Sequence, residues 1–407
     1  MALLALVPTT ASADLDITEA VSLALTDDPV VAASQARTQA LRDTAVADGQ
    51  LPDPKLKTGI YNLPVDDFDV DREPSTQFRL GLVQEFPRGD TRQYRQKQTE
   101  WMASAEQANT DAARRQLVRD VRKSFLELYY QLQAEQVISE TRNLFAQLVD
   151  ITQAHYATGR ASQQDVLRAS LELSRLDDRT TRIRNEADRG RATLTKWIGD
   201  AATLPVASEF PALPVLPPRE VIETGLTQHP VLLAQAARYE ASNQQIRIAH
   251  EQFKPGWSAG LEYRKRFGED PNGDDRADMV AAMVTVDLPF FTANRQDKRL
   301  SASIEQAESV QLTRDNQLRE LQQMLDADYA NWQRLGERAD LYSNQLLNEA
   351  TSNARASLNA YQSGVTEFST LMRARITDLD VRLEDLRVRV DRAKAQAGLL
   401  YLAGEAR

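Results

Sequence analysis

Histidine, cysteine and clustered carboxylates are the residues through which this chain could do chemistry, and their pattern is sparse. There is no cysteine in the 407 residues, which excludes thiolate nucleophiles, disulfides and cysteine-ligated metals. The three histidines, His155, His229 and His250, are far apart in sequence and form no spaced ligand motif, so each reads as a surface or interface residue. The segments Asn62–Thr76 and Lys265–Asp278 hold five carboxylates each. Clustered carboxylates attract hard cations, but Asp66-Asp67 and Asp274-Asp275 lack the spacing of a calcium loop, and solvated exterior loops account for them. No metal ligand and no cofactor is expected. There is also no glycine-rich phosphate loop and no nucleophile beside a base, which makes an enzyme the poorest reading. A net charge of −10 argues against nucleic acid as a partner, because phosphate binding needs clustered Lys and Arg.

The elements around these residues are more informative. Only 16 glycines and 16 prolines interrupt the chain, a composition suited to long helices. After Pro87 no proline or glycine occurs between about Asp90 and Tyr156, so a long helix is predicted over 90–156, a rod of roughly 100 Å. A second is predicted over 293–361, broken only by Gly336. In the last segment Met372, Ile376, Leu379, Leu383, Leu386, Val390, Ala393, Ala397 and Leu400 recur at alternating spacings of four and three, which is a coiled-coil seam. The Arg-rich stretch Arg375 to Arg392 alternates with Asp and Glu as a solvated face. Period-two alternation marks four strands, 55–61, 77–86, 257–264 and 279–287.

The chain is written twice. Leu15-Asp16-Ile17 onward is echoed from Leu216, Pro87 by Pro289, Tyr156-Ala157-Thr158-Gly159 by Tyr361-Gln362-Ser363-Gly364, and Gly199 by Gly404. The echoes keep their order, with offsets from 201 (Leu15 to Leu216) to 205 (Gly159 to Gly364). Repeats are therefore assigned to 14–203 and 219–407, joined by a linker, 204–218, with five prolines. Each repeat reads as helix, strand, strand, long helix, return helix, the first helices running from Thr18 to about Gly49 and from Glu220 to about Phe253. Residues 1–13 read as the rear of a secretory signal, an apolar run Met1–Val7 with Ala11-Ser12-Ala13 as cleavage site; a frayed apolar terminus is the alternative. Gly159 and Gly364 permit a left-handed residue where the chain reverses, and Ser162 and Thr366 are placed to cap the return helices. Four strands with one apolar face and open edges cannot sit in lipid alone, so a barrel shared among protomers is implied.

This duplicated unit, with its strand ends Gln84-Glu85-Phe86-Pro87 and Val286-Asp287-Leu288-Pro289 and its two Tyr-x-x-Gly turns, resembles the outer-membrane efflux proteins of the TolC type. The resemblance implies a mainly α chain with four transmembrane β-strands, forming a homotrimeric α/β-barrel channel of twelve strands in the outer membrane that extends into the periplasm. It implies a passive exit duct docking with a periplasmic adaptor and an inner-membrane resistance-nodulation-division pump. By the same resemblance, the turns carrying Tyr156, Gly159, Ser162 and Tyr361, Gly364, Thr366 meet the adaptor. Gln84 to Gly89 is similar to the subgroup serving heavy-metal export. Related channels place carboxylates before the second turn; here Asn353, Arg355 and Asn359 stand there, a possible constriction without an acidic ring. A soluble periplasmic coiled-coil adaptor or scaffold is the alternative, and it leaves the four strands unexplained.

Overall fold

The computed structural model describes residues 14–26 and 28–404, so the signal-like start lies outside the described residues. The chain forms two compact units, each built from separated stretches of sequence. In chain order the elements are α1 (Ile17–Thr26), α2 (Pro29–Asp48), β1 (Lys55–Tyr61), β2 (Gln77–Phe86), α3 (Thr91–Ala157), α4 (Gln163–Ile198), α5 (Arg219–Gly225), α6 (Pro230–Glu251), β3 (Gly256–Arg266), β4 (Met279–Asp287), α7 (Gln296–Leu341), α8 (Leu347–Gln362) and α9 (Phe368–Ala403). No helix among the described residues is long and apolar enough to cross a membrane.

Two helices expected to be continuous are split, and both for the same reason. A residue before proline is pushed out of the α region, while proline itself suits the first helical turn. Accordingly α1 ends at Thr26 and α2 opens at Pro29, where Asp28 Oδ1 accepts the amides of Val30 and Val31 at 2.9 Å. In the second copy α5 gives way to a short 3-10 turn, Leu226–Gln228, His229 takes φ −65 and ψ 134, and α6 opens at Pro230. A third difference lies in the long helix of the second copy. Gly336 does not interrupt it; a π turn at Tyr342–Leu346 separates α7 from α8 instead.

The helical unit takes in α1, α4, α5, α8, α9 and the parts of α3 and α7 within 111–157 and 318–341. Its main core is a hydrophobic cluster in which Phe125, Leu128, Ile138 and Phe145 of α3 pack with Leu194 of α4 and with Leu371, Leu379 and Val390 of α9, and a smaller cluster joins Leu335 of α7 to Val388 and Ala395 of α9. The 204–218 segment is an ordered strap within this unit. Leu15 bridges in parallel to Val206, Tyr129 Oη donates to the Ser208 carbonyl at 3.1 Å, and Gln396 Nε2 donates to the Pro214 carbonyl at 2.7 Å. The prolines that follow stop the ladder after that one bridge, so side-chain donors from the helices satisfy the Ser208 and Pro214 carbonyls. An ionic cluster ties α3 to α9: Arg387 Nη1 sits 3.0 Å from Glu127 Oε1, and Lys394 contacts Glu127 Oε2. Burial pushes the Glu127 carboxyl up, but the two cations overcome it and hold the group below the usual carboxylate range.

His229 supplies a pH prediction. It is buried at the α5–α6 junction, edge-on to Tyr401 with ring centroids 5.0 Å apart. Burial first, and the nearby Arg115 cation second, lower its pKa to about 4. The unfolded chain, at about 6.5, therefore binds more protons than the native one between these values, and stability falls as pH drops through that window, by up to about 3 kcal/mol. Thermal unfolding of the detergent-solubilised protein should show a lower Tm at pH 5 than at pH 7.5, and His229→Gln should shrink that difference. A difference unchanged by the substitution would assign the acid sensitivity elsewhere.

The second unit, 33–110 and 230–317, holds the sheet. The strand order is β1-β2-β3-β4, all neighbours antiparallel. The helices of this unit bury mainly small residues, among them Ala45, Ala103, Ala234, Ala237 and Ala241, which allow close approach. Buried hydroxyls there find partners: Ser34 Oγ donates to Glu106 Oε1 at 2.8 Å, and Thr110 Oγ1 donates to Ser34 Oγ at 2.9 Å.

Candidate functional site

Strand register gives the sheet two different faces. Leu56 pairs with Leu82, Leu82 with Leu261 and Leu261 with Ala282, so the alternate residues of all four strands form one continuous apolar surface. Leu56, Leu82, Leu261, Val280 and Val284 on it are all more than half exposed in the single chain. At one end of this face Phe86 stacks on Trp257 with ring centroids 4.0 Å apart. The opposite face is polar and glycine-rich, with Lys55, Lys57, Arg79, Glu85, Glu262, Arg264 and Arg266 between Gly59, Gly81 and Gly260. Tyr61 belongs to this polar face, beneath the Arg79 guanidinium 4.1 Å from its ring centroid, whereas Trp257 and Tyr263 lie on the apolar one. β1 and β4 are the two edges, and among the described residues no strand pairs with their outer sides. The ten-residue β2 spans roughly 33 Å along its axis, enough for a tilted passage of a hydrocarbon layer.

The two helix-to-helix turns lie together in the helical unit and line one open cleft, with His155, Arg160, Ser162, Tyr361, Gly364 and Phe368 among its walls. Both close in the same way. Gly159 and Gly364 each have φ of 72, and after each the next amide reaches back five residues, Arg160 to the His155 carbonyl at 2.8 Å and Val365 to the Ala360 carbonyl at 2.9 Å. Ser162 caps α4 with a reciprocal box: its Oγ accepts the Asp165 amide at 3.2 Å, and Asp165 Oδ2 accepts the Ser162 amide at 3.1 Å. Thr366 does not play the matching role. The N-cap of α9 is Glu367, which makes no side-chain cap bond, because the helix opens at Phe368 and leaves Thr366 one residue too early. Tyr361 packs between His155 and Phe368, at 6.1 and 5.5 Å between ring centroids, and burial raises its pKa. Tyr156 is exposed, as is Val365 at the second apex, an apolar residue that the sequence pattern did not single out.

The expected constriction needs revision. Arg355 and Asn359 are exposed one turn apart on α8, but Asn353 is about 200° round the helix from Arg355 and cannot line the same surface. Ala350, Ala354 and Ser357 form the buried side of α8, and the exposed stripe opposite runs through Asn348, Ser352, Arg355 and Asn359. Among the described residues no group of His, Cys, Asp or Glu is arranged to hold a metal ion.

Comparison with known proteins supplies the family. A family model described as outer membrane efflux protein matches twice, over residues 20–200 and 221–405. No curated protein sequence matches. Solved structures are similar in fold at low identity. The outer membrane protein VceC of Vibrio cholerae superposes with a TM-score of 0.78 at 18% identity, covering 95% of this chain and 96% of that one. The CmeC outer membrane channel of Campylobacter jejuni gives 0.81 at 12% identity, covering 96% and 86%. CusC, whose structures describe folding and transmembrane channel formation, gives 0.81 at 15% identity, covering 96% and 92%.

Proposed function

We propose, because this chain belongs to the outer membrane efflux protein family, that it works as the passive exit duct of a tripartite efflux assembly, with three copies closing one barrel of twelve strands. The protein is an outer membrane efflux channel that extends into the periplasm, not an enzyme, and family membership leaves the soluble scaffold alternative without support. The observation that carries the reading is the four-stranded sheet with an exposed apolar face and two unpaired edges, β1 and β4. An open edge in hydrocarbon leaves backbone groups unsatisfied, so β1 of one copy must pair with β4 of the next. The apolar face then meets lipid and the polar face lines the bore. Extraction should require detergent, and a heat-sensitive trimer should run on unboiled gels. A water-soluble monomer would overturn the proposal.

The paired turns around Tyr361 are the natural contact for a periplasmic adaptor, which in turn connects the duct to an inner-membrane resistance-nodulation-division pump. They present backbone bends fixed by Gly159 and Gly364, an exposed Val365 and an open cleft. Val365→Asp should weaken adaptor capture in a pull-down and lower efflux about tenfold while trimer yield stays unchanged, since setting a carboxylate against an apolar partner surface costs on the order of 1–2 kcal/mol. Normal capture would remove the turns from the docking surface. Arg355 and Asn359 are proposed to line the entrance inside these turns. Heavy-metal export rests on Gln84 to Gly89, and in the structure that segment is occupied in joining β2 to α3: Arg88 Nη1 donates to the Gln252 carbonyl at 2.6 Å, and Glu251 Oε2 accepts the Asp90 amide at 2.8 Å. These bonds give the segment a structural role at the β2–α3 junction.

A further inference from the structure

The polar face of the sheet bears on cargo. Near its loop end, away from the helices, Arg79 and Arg264 face each other across β2 and β3, and Arg266 pairs with Gln77 one position further on. Glu262 is the single carboxylate on the strands beside them, with Arg264 Nε at 2.5 Å and Arg79 Nε at 3.9 Å. Glycines make this possible. Gly59 and Gly81 leave space on the face, so that the long side chains lie along the wall, and Arg79 is fixed over the Tyr61 ring. Toward the helix end Lys55 pairs with Glu85 at 2.5 Å, and Arg88 lies 3.9 Å from Asp287, so charges there are balanced locally. The surplus is therefore cationic, carried by the three arginines near the loop end and by Lys57 between the two groups.

We propose that the strand-built section of the duct favours anionic small molecules over free cations. The inference rests on the reading that the polar face lines the bore. In a three-chain barrel the cluster becomes a ring of nine guanidiniums and three carboxylates. A ring enclosed by a low-dielectric wall focuses its field into the bore, whereas the acidic loops outside stand in open solvent where salt screens them. Those loops are also partly neutralised: Arg72 binds Asp66 and Asp67 at 2.8 and 2.6 Å, and Arg276 lies 3.9 Å from Asp270. The order along an exit path is then a cation-favouring mouth outside an anion-favouring wall. This arrangement suits organic anions carrying carboxylate, sulfonate or phosphate groups, which arginine binds bidentately.

The absence of native cysteine allows a local test. Met279 stands opposite Arg264 on the polar face, Val284 lies on the apolar face, and Asn272 lies in an acidic loop. Single Met279→Cys, Val284→Cys and Asn272→Cys variants, reconstituted as full-length protein, are treated with an anionic and a cationic membrane-impermeant methanethiosulfonate of similar size. Met279→Cys should favour the anionic reagent, with a rate ratio on the order of fivefold above that of Asn272→Cys, and Arg79→Gln with Arg264→Gln should abolish the excess. A Met279→Cys that reacts well but prefers the cationic reagent overturns the anion preference alone. An unreactive Met279→Cys beside a reactive Val284→Cys reverses the two faces, and overturns both this inference and the barrel reading beneath it.

Discussion

Replacing Val284 by arginine should abolish assembly in the outer membrane, while arginine at the adjacent Met283 should leave it nearly intact. In the single chain both residues are well exposed, Val284 at 67% and Met283 at 53%, so surface accessibility alone would make both changes harmless. Strand alternation separates them. Val284 pairs with Ala259 on the apolar face, and Met283 pairs with Gly260 on the face with Arg79 and Glu262. Arginine on a lipid-facing strand near the middle of the bilayer costs about 2–4 kcal/mol, and a barrel of three copies bears that cost three times. On the bore side the guanidinium meets water and the small Gly260. Outer-membrane fractionation with unboiled gel electrophoresis reads the result. Loss of Val284→Arg trimer with retention of Met283→Arg trimer supports the barrel; equal tolerance at both positions would show that the apolar face never contacts lipid.

The features most legible in the sequence are those that repeat. Period-two alternation over residues such as Val280, Ala282, Val284 and Val286 identifies a strand directly, because the spacing of side chains on a pleat is fixed by the backbone. The α9 seam is equally plain, since each of its apolar residues enters the same cluster or packs against it, apart from Ala397 and Leu400, which are buried outside it. Features that turn on one residue are harder to read. Thr366 looks like a cap from its place after Gly364, yet where α9 begins depends on how Phe368 packs against Tyr361, a contact between separate helices. Asn353, Arg355 and Asn359 are neighbours in a line of text, and only the helical rotation parts them. The π turn at Tyr342–Leu346 has no glycine or proline to announce it, and Gly336 nearby, with Arg392 against it, is helical. The splits before Pro29 and Pro230 are visible in principle, because proline constrains the residue ahead of it wherever it occurs.

Gly89 at the β2–α3 junction should be among the least replaceable residues of the protein, and it can be separated from the turn glycines by measurement. Gly89 has φ of 47, Gly159 and Gly364 have φ of 72, and a side chain in this region costs about 1–2 kcal/mol at any of them. The surroundings differ. A methyl group at Gly159 or Gly364 meets nothing within 4 Å, whereas at Gly89 it would fall 1.7 Å from Glu251 Oε2 and 2.7 Å from Lys254 Cδ. Glu251 is buried, accepts the Asp90 amide and pairs with Lys254 Nζ at 2.7 Å. Burial raises its pKa, but the Lys254 and Asp90 bonds outweigh this and hold the carboxyl below its usual range. Displacing it adds the cost of a buried, unpaired acceptor, about 1–3 kcal/mol. Gly89→Ala should therefore lose about 2–5 kcal/mol in denaturant unfolding of the solubilised protein, against about 1–2 kcal/mol for Gly159→Ala. In a Glu251→Ala background the 1.7 Å clash is gone and the Lys254 side chain, released from its ion pair, is free to swing aside, so Gly89→Ala should then cost no more than Gly159→Ala. Equal losses at the two glycines in the native background would show that the junction yields without disturbing Glu251, and that β2 and α3 are not locked to the end of α6.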